Sequence, residues 1–406
     1  MHQQNNHGHH RQETMKVVSD YTKIGEKAFV KDLIPQIVGH GGSFMFWRLP
    51  NSDEKNLIVC NTSALMRDEI SMEDSKTGFA FAPFNPSQKK LFFNADLIFR
   101  FKGYEIIDGP DLNNTKYVLK GSAQESESQK APYYSSKKII TSHSEYVELA
   151  EACVQHIESS AIEKIVPSKF KEVELPENFD LLKTFYKICD KHPNAFVSLV
   201  SSPEIGTWLG ASPELLVSID AEDKFRTIAL AGTLPYAVGV DLKSVAWTQK
   251  EIEEQALVCR YIINCFKKIR VREYAEHGPR TVVAGNLMHL RTDYEVDMKE
   301  VNFPQLGSVM LKLLHPTSAV CGMPLEPALD FLQKNEGYDR EFYSGFLGPV
   351  NFEGESKLFV NLRCIQLFEK SAWIYAGAGV TADSDPAKET EEVEMKIQTM
   401  NQIINS

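Results

Sequence analysis

The sequence predicts an α+β fold of large antiparallel sheets with helices packed outside, and three observations lead to this prediction. Short alternating or apolar runs dominate from about Tyr21 to Lys120, and each is ended by polar or turn residues: SFMFWRL, NLIVCN, GFAFAPF and LFFNADLIFRF. Such runs are typical of strands. Further along, strands follow one another in groups instead of alternating singly with helices. The chain has 406 residues, of which 43% are hydrophobic, which is enough for a large core.

The elements after residue 143 begin with a helical pattern. Apolar residues recur at helical spacing in three segments: residues 144–160, residues 248–269 and LLKTFYKICDKH. Residues 162–175, in contrast, have extended character. The predicted strands read, in order, AFVSLVS, GTWLGAS, ELLVSI, RTIALAGT, GFLGPVNF, KLFVNLRCIQL and AWIYAGAG. An acidic helix closes the chain.

Composition divides the chain into three parts. Residues 1–14 are polar and contain four histidines without apolar periodicity, so we expect a disordered leader or tag there, not a metal site. Residues 15–140 form a strand-rich N-terminal part, and residues 121–142 are expected to be a loose surface connection. Residues 144–406 carry the chemically richer motifs. The length allows two or three domains or one large domain.

Charge and hydropathy exclude several classes of protein. A net charge of -11 and a pI near 5.6 argue against a nucleic-acid partner. No apolar run approaches the roughly 18 to 20 residues of a membrane span, and no signal peptide opens the chain, so we expect a cytoplasmic protein without a membrane partner. The seven cysteines are scattered, without a C-x-x-C pair, and are expected to be core thiols and not disulfides or zinc ligands.

The segment IYAGAGVTADSDPAKETEEVEMK, residues 374–396, is the most informative stretch. Asp385 is a good N-cap and Pro386 a good first helical residue, so Glu389, Glu392 and Lys396 share one helix face. Beside a glycine turn, this face is able to hold a divalent cation and a ligand carboxylate together. A solvated helix with ion pairs is the alternative. Although GAGVTA fits a dinucleotide-binding pattern, only 24 residues follow it, too few for that fold.

Eight further motifs accompany this segment in a fixed order. They are IEKIVPSK, GASPELLV, ALAGT, KEIEEQALV, NLMHL, HPTSAVCGMP, GYDREFYSGFLG and FVNLRCI. Together they resemble the chorismate-binding enzyme family over about residues 144–398. The resemblance implies an anthranilate synthase component I-like fold, a single α+β domain whose active site lies between two antiparallel sheets. It makes residues 144–406 the catalytic region and residues 15–140 a part of the same fold.

The resemblance implies two catalytic residues. Lys164 stands where family members that use water carry lysine and those that use ammonia carry glutamine, and a desolvated lysine is able to act as a general base. Glu214 lies between two apolar stretches, an environment that keeps a carboxyl group protonated at neutral pH, and it matches the family's general acid for the C4 hydroxyl of chorismate.

The resemblance also implies a magnesium site. Glu254 and Glu392 match the family's Mg²⁺ ligands, with Glu251 and Glu389 as supporting acids that hold water. Glu251 has a rival role, because Thr248-x-x-Glu251 is a capping box at the start of the predicted helix.

Substrate binding is expected from several matched positions. Lys396, Arg363 and Tyr343 would orient the two carboxylates of chorismate with backbone N–H groups around Gly377 and Gly379. An arginine inside the apolar strand FVNLRCIQL is costly unless paired, which favours a ligand-facing role. His289 either contacts substrate near C4 or is a satisfied buried imidazole. The remaining expected contacts are Gly232, Thr233, Ala319 and Val320.

The resemblance implies magnesium-dependent isochorismate synthase activity on chorismate, without a glutamine amidotransferase subunit. Salicylate synthase is the alternative enzyme, and Ala319-Val320 in place of a threonine-alanine pair favours isochorismate as the product. An ammonia-using anthranilate or aminodeoxychorismate synthase component and a non-catalytic chorismate-binding protein are weaker alternatives. Four positions depart from the family pattern: Pro167, Lys169, Gln255 and Thr390.

Overall fold

The computed structural model describes residues 25–110, 142–284 and 287–405. Helices in these residues are α1 (Glu26–Gly39), α2 (His143–Glu158), α3 (Leu181–Lys191), α4 (Gln249–Lys268), α5 (Leu306–Leu314), α6 (Leu325–Asn335) and α7 (Pro386–Ile404). The N-terminal strands are β1 (Ser43–Arg48), β2 (Glu54–Cys60), β3 (Leu65–Arg67), β4 (Gly78–Ala82), β5 (Lys90–Asn94), β6 (Leu97–Lys102) and β7 (Glu105–Asp108).

The later strands begin with a two-residue strand. They are β8 (Lys164–Ile165), β9 (Ser168–Glu174), β10 (Phe196–Ser202), β11 (Gly206–Ser212), β12 (Leu215–Ile219), β13 (Lys224–Pro235), β14 (Ala275–Ala284), β15 (Leu287–Asp297), β16 (Gly322–Met323), β17 (Phe346–Val350), β18 (Ser356–Val360), β19 (Cys364–Leu367) and β20 (Ser371–Gly377).

Two nine-stranded antiparallel sheets dominate the fold. The first has the order β7-β6-β2-β1-β10-β11-β19-β20-β9, and the second has the order β14-β15-β13-β12-β18-β17-β4-β5-β3. Strands from residues 43–108 enter both sheets, so this part of the chain is built into the same fold as the rest. The short strands β8 and β16 form a separate pair. The predicted α+β class with two large antiparallel sheets is confirmed.

The sheets are buried on both faces, and the side-chain period of two divides each strand between two cores. In β1, Phe44 and Phe46 join the core beneath α1, α2, α3 and α7, whereas Met45 and Trp47 join the core between the sheets. Trp47 of the first sheet contacts Phe79 of the second, with ring centroids 5.5 Å apart. A third core lies between the second sheet and helices that include α4, α5 and α6. The layers therefore run helices, sheet, sheet, helices.

Two sequence predictions about the elements need correction, and several elements were not predicted. In the strand-rich N-terminal part, the first element of the described residues is a helix, α1, whose apolar residues recur at helical spacing and are buried against β1 and β6. The predicted strand KLFVNLRCIQL is two strands, β18 and β19, because Arg363 between them has φ 48° and breaks the extended conformation. Helices α5 and α6 and the hairpin β14–β15 were not predicted.

Several other predictions are confirmed, and two concern segments that fall mostly or wholly outside the described residues. Asp385 caps α7 by accepting from two backbone N–H groups, with Pro386 in the first turn. The seven cysteines are free and six are buried, as expected of core thiols. Within the described ranges, no helix has the length and apolar character that a membrane crossing needs. The leader at residues 1–14 and nearly all of the connection at 121–142 fall outside the described residues.

Candidate active site

One cavity, here called the central cavity, gathers thirteen of the sixteen predicted site residues. Its wall takes side chains from β8, β13, β15, α4 and α7 and from the turns after β11, β18 and β20, so both sheets contribute to it. The predicted residues that line it are Lys164, Glu214, Gly232, Thr233, Glu254, His289, Ala319, Tyr343, Arg363, Gly377, Gly379, Glu392 and Lys396. Glu251, Val320 and Glu389 do not line it. A larger cavity of about 760 Å³ shares Pro213 and Leu230 with it and contains none of the predicted residues.

Lys164 is buried, with 3% of its surface exposed, and is held by backbone pairing on two sides. β8 pairs with β16, and the backbones of Ile165 and Val380 bond to each other at 3.0 and 2.7 Å. This bridge brings the Gly379 turn against the lysine side chain. A Cβ on Gly379 would lie 2.6 Å from Lys164 Cε and 3.2 Å from Glu254 Oε1. The lysine and a carboxylate therefore both approach the Gly379 backbone, and a side chain at this position would displace the lysine.

Glu214 sits in the turn between β11 and β12 and is 4% exposed. Burial raises the pKa of its carboxyl group to about 7, although Lys164 and a hydrogen bond from Thr317 act to lower it. Thr317 Oγ1 donates to Glu214 Oε1 at 3.4 Å. A substantial fraction of Glu214 is thus protonated near neutral pH. The carboxyl group is able to donate a proton into the cavity.

Arg363 and His289 form a fixed pair on the cavity wall. The Arg363 guanidinium donates to the Ala284 carbonyl at 2.8 Å and to His289 Nε2 at 2.7 Å, while His289 Nδ1 donates to the Gly232 carbonyl at 2.6 Å. Burial, with the nearby arginine, lowers the pKa of His289 to about 3, so the ring is neutral. Both ring nitrogens are occupied, which makes His289 a satisfied buried imidazole that also orients the arginine.

The Arg363 charge has no carboxylate partner within 4.0 Å among residues 25–110, 142–284 and 287–405. Burial lowers the pKa of its guanidinium to about 10, and the group stays charged at neutral pH. A desolvated cation of this kind is stabilised by an anionic ligand. The arginine lies in the turn between β18 and β19 and not inside a strand as the sequence predicted.

Glu392 and Lys396 share one face of α7, as the sequence predicted. Lys396 Nζ lies 2.7 Å from Glu392 Oε1 and donates to the Gly377 carbonyl at 2.8 Å. Burial acts to raise the pKa of Glu392, but Lys396, Lys250 and Lys164 outweigh it and hold that pKa below its usual range. Glu392 is therefore ionised, and α7 is not simply a solvated helix.

The two supporting acids differ from each other. Glu251 closes the capping box of α4, accepting from the Thr248 N–H at 2.9 Å. Glu389 is 2% exposed and forms an ion pair with Lys250. Burial raises the pKa of Glu389, as do the charges of Glu392 and Glu254, while Lys250 opposes the rise. The acids of α4 and α7 are thus close enough to repel one another.

These acids fit a magnesium ion. In the described part of the chain, no three His, Cys, Asp or Glu side chains are arranged to hold a metal by themselves. Mg²⁺ does not require such a cage, because it keeps several waters and takes one or two carboxylates with substrate oxygens. Glu254 and Glu392 supply two carboxylates on the cavity wall.

Val320 does not line the central cavity, unlike its neighbour in the sequence. Ala319 lines the central cavity, but the Val320 side chain is packed in the core with α4 and α5, and its carbonyl accepts from Arg340 at 2.8 Å. Of the two residues, only Ala319 presents its side chain to the cavity.

The sequence reasoning missed several residues of the cavity. Tyr375 lines it and stacks on Tyr343 with centroids 5.1 Å apart and planes at 15°. Its signal was its place two residues before Gly377. Thr317, in HPTSAVCGMP, and Lys250, in KEIEEQALV, do not line the cavity but contact acids of the site: Thr317 donates to Glu214, and Lys250 pairs with Glu389. Contacts between residues so far apart in the chain leave no trace in apolar periodicity. The remaining unpredicted lining residues are apolar or proline: Val166, Pro213, Leu230, Ala231, Leu362 and Ala376.

Comparison with known sequences decides the family. Residues 107–405, well over half of the chain, match the sequence family described as chorismate binding enzyme. The chain belongs to this family. The motifs through which the chain resembles this family also supply residues that line the central cavity.

Named relatives of this chorismate-binding protein are isochorismate synthases. It is 28% identical over 244 residues to isochorismate synthase EntC of Escherichia coli, covering 59% of this chain and 61% of that protein, which is less than two thirds of the relative. It is 30% identical over 292 residues to isochorismate synthase DhbC of Bacillus subtilis, covering 68% and 71%. The fold matches that of MenF, the menaquinone-specific isochorismate synthase of Escherichia coli, with a TM-score of 0.69, 19% identity and coverage of 89% and 88%.

The departures from the family pattern lie outside the lining of the central cavity. Gln255 is buried and donates to Thr292 Oγ1 at 3.0 Å, and Thr390 donates to the Pro386 carbonyl at 2.7 Å. The buried Lys169 forms an ion pair with the partly exposed Glu394. The Pro167 carbonyl accepts from the Tyr146 hydroxyl at 2.8 Å. In this chorismate-binding protein, all four residues make internal contacts, although Gln255 Oε1 is buried without a hydrogen-bond partner among the described residues.

Proposed function

We propose that the protein is a magnesium-dependent isochorismate synthase, which converts chorismate to isochorismate. One observation carries the proposal: Lys164 and Glu214, a buried amine and a carboxyl group with a pKa of about 7, face one cavity whose wall also holds Arg363, a cation without a carboxylate partner in the described part of the chain. The relatives named isochorismate synthase support the same activity.

Chorismate brings two carboxylates, and the cavity supplies cations for them. Arg363 and Lys396 approach from different elements, the turn after β18 and helix α7. Because Arg363 is already oriented by His289 and the Ala284 carbonyl, little ordering is needed when a carboxylate binds. The Tyr343 and Tyr375 rings form an apolar wall for the substrate ring.

The reaction divides between two side chains. Lys164 takes a proton from water as the water oxygen bonds to C2, the double bonds shift, and the C4–O bond breaks. Glu214 gives its proton to the departing C4 hydroxyl, which leaves as water. Mg²⁺, when held by Glu254 and Glu392 with Glu251 and Glu389 nearby, would neutralise the C1 carboxylate.

Lysine at position 164 favours water over ammonia as the nucleophile. The family's ammonia-using members carry glutamine at the matching position, so no glutamine amidotransferase subunit is required. A cytoplasmic location remains a prediction. The product serves either menaquinone or catechol siderophore synthesis, and the cavity residues favour neither pathway.

Salicylate synthase, which eliminates pyruvate after the same first step, remains the second candidate. The sequence argument against it used the volume of Ala319 and Val320. Since only Ala319 faces the cavity, that argument rests on one small side chain. The choice between the two products is therefore one for experiment.

The test is a time course by NMR with chorismate and Mg²⁺, with an EDTA control and a parallel sample in ammonium salts at neutral pH. An approach to a chorismate–isochorismate mixture, unchanged by ammonium, is the expected result. Stoichiometric salicylate and pyruvate would assign the protein to the second candidate. A main product carrying an amino group would move it to the anthranilate branch. Binding of chorismate without turnover would make it a non-catalytic binding protein.

A further inference from the structure

Arg340 and Glu336 form an ion pair that lies outside the central cavity and is almost completely buried. The two side chains are 2% and 3% exposed. Their contact is bidentate, with Arg340 Nε to Glu336 Oε2 at 2.7 Å and Nη2 to Oε1 at 2.7 Å. Burying two charges costs desolvation free energy that a pair of this kind rarely exceeds. A contribution to stability is therefore a weak explanation for the pair, and its other contacts indicate a second one.

The remaining donors of Arg340 bind the backbone on two segments of the cavity wall. Nη2 donates to the Val166 carbonyl at 2.7 Å, and Nη1 donates to the Val320 carbonyl at 2.8 Å. Val166 lines the cavity and follows Lys164 by two residues. Val320 follows Ala319, which also lines the cavity. The guanidinium thus joins the lysine segment to the turn before β16.

Glu336 fixes the other end of the lysine segment. Its Oε1 accepts from the Ser168 N–H at 2.6 Å and from Ser168 Oγ at 2.7 Å. Ser168 begins β9 and pairs with Gly377, which lines the cavity. Residues 166 and 168 are therefore both held by one ion pair, four residues or fewer from the Lys164 side chain.

The arginine is itself held in place. Its guanidinium carbon lies 4.1 Å from the centroid of the Phe84 ring, and its carbonyl accepts from the Tyr343 N–H at 2.9 Å. The planar guanidinium group of Arg340 donates four hydrogen bonds in fixed directions, and the ammonium group of a lysine cannot reproduce this geometry.

We propose that Arg340 and Glu336 are positioning residues for Lys164, an inference that rests on the proposed function of Lys164 as the base. They fix the backbone after the lysine and thereby the distance between its amine and the attacking water. Reacting groups must be held within a fraction of an ångström, and a displacement of about 1 Å is able to cost about 10²-fold in rate.

The first variant is Arg340→Lys, which keeps a positive charge beside Glu336 but loses the fork. We expect kcat to fall about 10²-fold, with KM for chorismate within about threefold of wild type, because Arg363 and Lys396 lie on other elements. In a Lys164→Ala background the same change should add no further loss of kcat, since the group being positioned is already absent. A purely structural role would reduce kcat equally in both backgrounds.

A second variant, Arg340→Met with Glu336→Gln, leaves no unpaired buried charge if Arg340→Lys folds poorly. Its matched control is Lys55→Met with Glu26→Gln, which removes another buried ion pair, at 3.1 Å, far along the chain from the cavity residues. The melting temperature of each double variant shows whether the two replacements perturb folding to a similar extent. Only the Arg340–Glu336 variant should lower kcat per folded molecule, with the folded fraction measured by circular dichroism.

Wild-type kcat in folded Arg340→Lys, or an undiminished loss in the Lys164→Ala background, would overturn the proposal. A wild-type protein that leaves chorismate unchanged would instead refute the proposed function. A crystal structure of Arg340→Lys tests the proposal without any measurement of activity. Displacement of Lys164 Nζ by about 1 Å or more supports positioning, and an unmoved lysine overturns it.

Discussion

Replacing Glu214 with glutamine should lower activity and raise stability at the same time. Glutamine has nearly the same shape and is able to accept the hydrogen bond from Thr317, but it has no proton to transfer to the C4 hydroxyl. We expect kcat to fall by about 10² to 10⁴, the usual contribution of a general acid, while chorismate still binds.

The stability change follows from the raised pKa of Glu214. Burial moves it from 4.5 to about 7, which corresponds to roughly 3 kcal/mol at a fully buried site. Because the folded pKa exceeds the unfolded one, wild type bears no ionisation cost below about pH 4.5. It loses stability progressively as the pH rises from about 4.5 to about 7. Glu214→Gln should match wild type near pH 4.5 and exceed it by up to roughly 3 kcal/mol at pH 8.5.

Two assays check this prediction. Urea unfolding at pH 5 and 8.5 gives the stability difference, and kcat of wild type from pH 6 to 9 gives the titration. The wild-type pH profile should contain a titration near pH 7 that is absent from the residual activity of Glu214→Gln. Near wild-type turnover in Glu214→Gln, or no gain in stability at high pH, would refute the assignment of a buried acid.

Three further substitutions test the other parts of the cavity. Lys164→Ala should lower kcat by about 10² to 10⁴ with chorismate affinity retained in a fluorescence titration, and turnover near that of wild type would remove Lys164 as the base. Glu392→Gln should raise the Mg²⁺ concentration for half-maximal activity by about tenfold or more and weaken Mn²⁺ binding measured by electron paramagnetic resonance, whereas the exposed neighbour Glu391→Gln should do neither. Full activity of wild type in EDTA would contradict a metal site. Gly379→Ala places a Cβ 2.6 Å from Lys164 Cε and should lower kcat about 10²-fold. The control is Gly39→Ala, whose Cβ would have nothing within 4 Å and which should leave kcat unchanged. Equal kcat in the two variants would contradict the close approach of Lys164 to Gly379.

The parts of the fold that the sequence predicted are those with local signals. The acidic helix α7 was predicted because its cap and its apolar spacing lie within a few residues of each other. Helix α1 was missed because its short apolar pattern, interrupted by Pro35, precedes a long run of strands and was absorbed into them. The strand break at Arg363 was missed because a positive φ at a non-glycine residue leaves no mark in apolar periodicity.

The candidate site divides in the same way. The ordered motifs predicted thirteen residues that line one cavity, because each motif contains at least one residue of the cavity wall. Contacts between distant segments were not accessible to that reasoning. Lys250 meets Glu389 across 139 positions, and Arg340 meets Val166 across 174. Such pairs form when sheets and helices pack together, and no spacing of residues in the sequence predicts them.

The most direct test of the central claim follows the oxygen atom. Chorismate is incubated with the protein and Mg²⁺ in water labelled with ¹⁸O, and the product is analysed by mass spectrometry and NMR at early times. If Lys164 activates water for attack at C2 while Glu214 expels the C4 hydroxyl, isochorismate should carry ¹⁸O at C2. Isochorismate with unlabelled oxygen at C2, or no isochorismate at all, would contradict the account.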